Sequence, residues 1–214
     1  MNNQRTAVLD DDHVDAVATG EQRRPIALAI LLIIGGALGL LASFELTLDK
    51  FFALENPGAK TNCFYSLVVQ CDKNLASWQG SLFGFPNPVV GLVCFTAPIF
   101  VGVFVLAGVR FPRWIWALFN VGMFGGILFV MWLITESIFF LGTLCPWCML
   151  VWSVVIPMSI ATTLYNLAQG NLLPGPGARR FGSALYGWTP LITLLVYVTV
   201  AVMSQVRLNV LAYL

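Results

Sequence analysis

Histidine is almost missing from this chain: the only one, His13, lies in a polar N-terminal stretch. Its scarcity excludes haem held by histidine, His-ligated zinc and most His-based acid–base catalysis. Charge is scarce as well. Asp, Glu, Lys and Arg make up 10% of the residues and apolar types 58%, against about 25% and 45–50% in ordinary soluble domains. A soluble fold of 214 residues cannot hide that much apolar surface, because domains of this size leave much of their surface in water. A bilayer removes the difficulty. There is no flavin or dinucleotide fingerprint and no internal repeat, and nucleic acid is not an expected partner.

What is present is long apolar runs. A membrane span needs about 20 apolar residues, and five segments qualify, at about 26–44, 88–109, 114–140, 146–167 and 185–206. The third carries one charge, Glu136, near its far end. An intramembrane carboxylate is a functional candidate by default, although from that position it can also snorkel to the surface. Residues 1–24 are polar and acidic without apolar period, and read as a disordered cytoplasmic tail rather than a cleaved signal peptide. Residues 25–167 form a four-helix core with one long polar loop at 45–85. Residues 168–184 form a cytoplasmic loop containing Pro174-Gly175-Pro176-Gly177, and 185–214 the fifth span and C-terminus.

Lys/Arg bias in short loops sets orientation. With the N-terminus inside, inner segments hold Arg5, Arg23, Arg24, Arg110, Arg113, Arg179 and Arg180, and outer ones hold Lys50, Lys60, Lys73 and Arg207. Seven against four favours that orientation, and five spans then leave the C-terminus outside. Trp114 and Trp116 stand where interfacial anchors belong.

Four of the five cysteines fall on the outer face of this map. Cys63 and Cys71 lie in the long loop, and Cys145 and Cys148 form a Cys-Pro-Trp-Cys at the start of the fourth span; Cys94 lies within the second and is read as a small apolar residue without a role. Outside is where disulfides form and persist. Pro146 suits the first helical position, which puts Cys145 at the N-cap and Cys148 in the first turn, where free N–H groups and the helix dipole favour a thiolate. A structural bridge and half of a zinc site are the bland alternatives. A bridge closing two residues restrains the unfolded chain little, and metal-ligating thiolates oxidise easily outside a cell, so no metal is expected. Cys63 and Cys71 would stand about 12 Å apart in a helix, beyond the ~7 Å limit for a disulfide. Either the segment between them bends, or each is free for another partner, including Cys145.

At these residues the sequence resembles the vitamin K epoxide reductase family, in its bacterial members. The pattern is Cys63-x7-Cys71, Ser77 six residues on, Asn87-Pro88-Val89-Val90-Gly91 opening the second span, and Cys145-Pro-Trp-Cys148 opening the fourth. It covers about residues 26–165. The resemblance implies an all-α membrane protein, a four-helix transmembrane bundle around a quinone site, here with a fifth transmembrane helix. It implies that Cys148 engages the quinone with Cys145 as its disulfide partner, that Cys71 passes electrons to Cys145, and that Cys63 is the outer shuttle meeting a thiol substrate. Asn87 falls at the family's quinone-binding asparagine and Ser77 at its loop serine. Where the family often has a tyrosine, this chain has Trp152, whose indole can stack or donate its N–H. Some bacterial members carry a fused thioredoxin-like domain after the fifth span; this chain stops at Leu214, so a separate extracytoplasmic thioredoxin-fold (DsbA-like) partner is expected.

The chemistry agrees with that resemblance. A thiol oxidase needs a two-electron sink, and a membrane supplies a lipid-soluble quinone of the menaquinone or ubiquinone type. Its flat ring needs an aromatic, mostly apolar pocket, for which Phe83, Phe85, Trp147 and Trp152 are candidates. The expected function is a membrane thiol–disulfide oxidoreductase supporting disulfide-bond formation. Its rivals are a non-enzymatic scaffold with a disulfide-clipped outer loop, and a transporter, which would need broken spans and midplane polar residues.

Overall fold

The structure, a computed structural model, describes residues 25–61, 63–173 and 175–212; the expected tail at 1–24 lies outside the described residues. Every regular element among them is helical: α1 (Ile26–Glu55), α2 (Asp72–Ala76), α3 (Asn87–Cys94), α4 (Thr96–Leu106), α5 (Arg113–Thr135), α6 (Pro146–Gln169), α7 (Pro176–Tyr186) and α8 (Thr189–Leu208), with short 3₁₀ turns at Trp78–Ser81 and Val210–Ala212. A π-helical turn, Glu136–Leu141, continues α5. Five helical stretches are long and apolar enough to cross a membrane: α1, α3 with α4, α5 with its π turn, α6, and α8.

The boundaries follow local chemistry. The first span is expected to end near Phe44, but α1 runs on to Glu55 and lifts Glu45, Asp49 and Lys50 onto a helical post. Nothing breaks the helix until Asn56-Pro57-Gly58, where proline disfavours the α conformation of the residue before it. The second span breaks at Phe95, because Pro98 has no N–H to offer the Cys94 carbonyl and its ring crowds that turn. Part of the expected loop at 168–184 is helix α7, and α8 opens later than expected, at Thr189 with Pro190 in its first turn.

The spans pack as a four-membered bundle of α1, α3–α4, α5 and α6, with α8 against the outside of α6. Lipid tails are as apolar as leucine, so close packing rather than water exclusion holds such helices together. Glycine supplies the closeness: a Cβ at Gly36 would come within 3.1 Å of the Phe95 carbonyl oxygen, and one at Gly102 within 2.7 Å of the Ala29 carbonyl oxygen. Leu28, Leu32, Ile156 and Met158 fill the seam and are fully buried.

A second proline, Pro157, also sits inside a span. In α6 it leaves the Ser153 carbonyl without its helical N–H, and the Tyr197 hydroxyl of α8 donates to that oxygen instead. Trp116 departs from its expected role. It is buried against Tyr165, ring centroids 5.0 Å apart, whereas Trp114 is exposed; two positions apart on a helix, they cannot share a face.

Candidate active site

A backbone bridge brings the distant cysteines together. Val69 pairs in parallel with Leu144: the Gln70 N–H donates to the Leu144 carbonyl at 3.0 Å, and the Leu144 N–H to the Val68 carbonyl at 2.7 Å. The residues that follow, Cys71 and Cys145, are thereby set side by side, with Sγ atoms 2.9 Å apart. Further ties hold the loop. Lys50 Nζ donates to the Leu75 carbonyl at 2.6 Å, the Thr61 N–H to Asp72 Oδ1 at 3.2 Å, and Thr143 Oγ1 to Asn74 Oδ1 at 3.1 Å.

The segment between Cys63 and Cys71 bends instead of forming helix. The Tyr65 and Ser66 N–H groups both donate to the Val69 carbonyl at 3.0 Å. Cys63 and Cys71 are disulfide-bonded, with Cα atoms 5.6 Å apart. Cys145 caps α6 as expected, its Sγ accepting the Cys148 N–H at 3.4 Å, and the two are unbonded thiols. Cys63, Cys71 and Cys145 lie within 4.8 Å of one another. Two of these sulfurs are spent on each other, which leaves Cys145 alone able to ligate a metal.

Leu46 and Leu75 roof the sulfurs, and Trp147 and Cys148 pack against them partly buried. Cys63, Cys71 and Cys145 are each at most 2% exposed. At Cys145 the expectation of a favoured thiolate fails. Burial pushes its thiol well above the usual range, the neighbouring Cys148 adds to that, and the backbone N–H groups of Cys148 and Trp147 oppose it without winning.

The candidate quinone contacts divide between two surfaces. Asn87 is buried; its Nδ2 donates to the Gln79 carbonyl at 2.6 Å and its Oδ1 accepts the Leu82 N–H at 3.0 Å. Gln79 Nε2 in turn donates to Glu136 at 3.1 Å, a linkage that no motif in the sequence announced. Ser77 caps the 3₁₀ turn, accepting the Gly80 N–H at 3.2 Å and donating to the Asn74 carbonyl at 2.8 Å. Phe83 is exposed and begins an aromatic row: Phe85 lies 6.2 Å and Phe129 6.0 Å from it, Trp132 lies 5.9 Å from Phe129, and Trp78 lies 6.1 Å from Trp132. Trp152 lies elsewhere. With Met149, Tyr197 and Gln205 it lines an apolar cleft of about 370 Å³ between α6 and α8, which none of the other five candidates lines. Cys94 is exposed on the outside of the bundle.

The sequence profile of the vitamin K epoxide reductase family matches residues 30–163, more than half of the chain and all four clustered cysteines. No curated protein and no solved structure matches.

Proposed function

The chain belongs to the vitamin K epoxide reductase family, a family of helical membrane redox proteins, and from that premise we propose that it carries electrons from a reduced thioredoxin-fold partner through its two cysteine pairs to a membrane quinone. The observation that carries this reading is the 2.9 Å separation of Cys71 and Cys145 sulfurs beside the Cys63–Cys71 bond.

Each exchange balances. A partner thiolate attacks Cys63, releasing Cys71 as a thiolate, and the partner's second thiol resolves the mixed disulfide, leaving the partner oxidised and the loop pair reduced. Cys71 attacks Cys145 of a Cys145–Cys148 disulfide and releases Cys148. Cys63 then attacks Cys71, restoring the loop bond and freeing Cys145. The loop pair ends bonded and the helix pair ends as two thiols, the arrangement found here. A bound quinone supplies the sink for two electrons and two protons. Cys148, the partly exposed member, is the thiol that meets it. Asn87 and the Phe83 row would hold its ring: one Asn87 amide hydrogen has an acceptor among the described residues, and the other is left to a ligand carbonyl. Ser77 acts through the loop it caps. The cysteine end faces the extracytoplasmic side, since Arg110, Arg113, Arg179 and Arg180 gather at the opposite end.

In Cys148→Ser protein, quinone reduction driven by a reduced dithiol partner should fall to background, and non-reducing peptide mapping should show an enriched Cys71–Cys145 disulfide. Continued turnover would remove Cys148 from its role. Loss of activity with only Cys63–Cys71 found would break the relay between the pairs.

A further inference from the structure

At the end of the bundle away from the cysteines, the start of α5, the end of α6 and the start of α7 enclose a second cavity, of about 270 Å³. Arg113, Arg179 and Asn171 line it beside Phe111, Trp116 and Tyr165. Both guanidinium groups are held against one residue. Gly170 ends α6 in the left-handed conformation, φ +71°, and turns its carbonyl to Arg113, which donates to it. Arg179 packs on the other side, so close that a Cβ on Gly170 would meet its Nε at 2.4 Å. Asn171 is steadied by donating to Asn166 Oδ1 at 2.9 Å.

Two fixed positive charges thus share one cavity, and among the described residues no carboxylate answers them. All five acidic side chains there, Glu45, Asp49, Glu55, Asp72 and Glu136, belong to the cysteine end. Arginine presents a rigid fork of N–H donors that matches phosphate oxygens two at a time. The volume is below the ~300–1,000 Å³ of pockets that enclose a drug-sized ligand, which suits a small anionic group with the rest of its molecule outside. Just outside, Trp114 and Phe104 are exposed apolar side chains at the ends of their spans, where acyl chains would lie.

We propose that this cavity binds the phosphate of an anionic phospholipid headgroup. Nothing in the proposal depends on the redox reading.

The test is native mass spectrometry of the detergent-purified full chain with phosphatidylglycerol or phosphatidylcholine of matched acyl chains. Phosphatidylglycerol should be retained about 10- to 30-fold better, the scale set by two arginines at a membrane surface. Arg113→Gln with Arg179→Gln should bring that ratio near one. Arg179→Gln alone should lower it, and because the hydrogen bond described for Arg179 uses its backbone N–H and is kept in the variant, this variant also covers the case in which the double variant misfolds. Equal retention of the two lipids, or a preference untouched by Arg179→Gln, overturns the proposal. So does competition by inorganic phosphate at a concentration equal to the lipid's, which would mark a free-anion site. Phosphatidylglycerol binding that develops only after residues 2–22 are deleted would give the cavity to the acidic tail and overturn it too.

Discussion

Cys145 is pulled in opposite directions by its neighbours, and in the proposed relay the result favours one direction of transfer. The start of α6 offers it N–H groups that favour a thiolate, while the roof of Leu46 and Leu75 takes water away. Burial wins and raises its pKa. With the loop bond closed, Cys145 therefore keeps its proton near neutral pH, which in the proposed relay would slow the return of electrons across 2.9 Å to Cys71. An ordinary thiol ionises with a pKa of about 8.5, so its alkylation levels off by about pH 10. Alkylation of Cys145 should instead keep rising beyond about pH 10, because the thiolate forms later. Site-resolved mass spectrometry with a small neutral reagent reads this directly, and a plateau by about pH 10 would refute it. Reagent access lowers every rate alike and leaves the shape of the profile. The cysteines and their N-cap were legible in spacing and in Pro146. The raised pKa was not, because the roof comes from residues about 70 and 100 positions earlier in the chain.

Among the elements, α6 and α8 share one carbonyl. Pro157 removes the N–H that would bond Ser153, and Tyr197 replaces it; without water, an unsatisfied carbonyl in a span is costly. Tyr197→Phe should cost about 0.6 kcal/mol and no more than about 1.7, the average and the maximum for interhelical bonds in a membrane, read as a lowered unfolding midpoint in detergent or bicelles. In a Pro157→Ala background the alanine N–H restores the helical bond, so the same change should cost much less. Equal costs in both backgrounds would show that Tyr197 acts through packing alone. All five spans could be read from composition because hydrophobic length is a local property. The kink at Phe95 and the extension of α1 were readable in principle from Pro98 and from the missing breaker before Asn56. The partner of Pro157 was not, since it lies 40 residues away with no pattern joining the two.

For the whole molecule, charge is sorted along the axis of the spans: all described acids at the cysteine end, and four arginines without acids at the other. The proposed orientation follows from that sorting. In otherwise cysteine-free protein, a cysteine replacing Tyr65, which is 73% exposed, should react with a membrane-impermeant thiol reagent on intact cells. One replacing Arg180 should react only once the membrane is opened, and the reverse pattern would invert the molecule. The gathering of four cysteines at one end of the bundle was expected from arginine bias and spacing, whereas the arginine cavity was not, because Gly170 unites α5 and α7 only after folding. The bridge between Val69 and Leu144 has a consequence in time. Eight positions separate Cys63 from Cys71, and 74 separate Cys71 from Cys145. At about 5–20 residues per second of synthesis, Cys71 waits roughly 4–15 s for Cys145 to exist, and throughout that interval Cys63 is its nearer neighbour. Short loops close at less entropic cost than long ones. Translation thus presents the loop bond first and its competitor last, so the order of the chain itself favours the Cys63–Cys71 pairing.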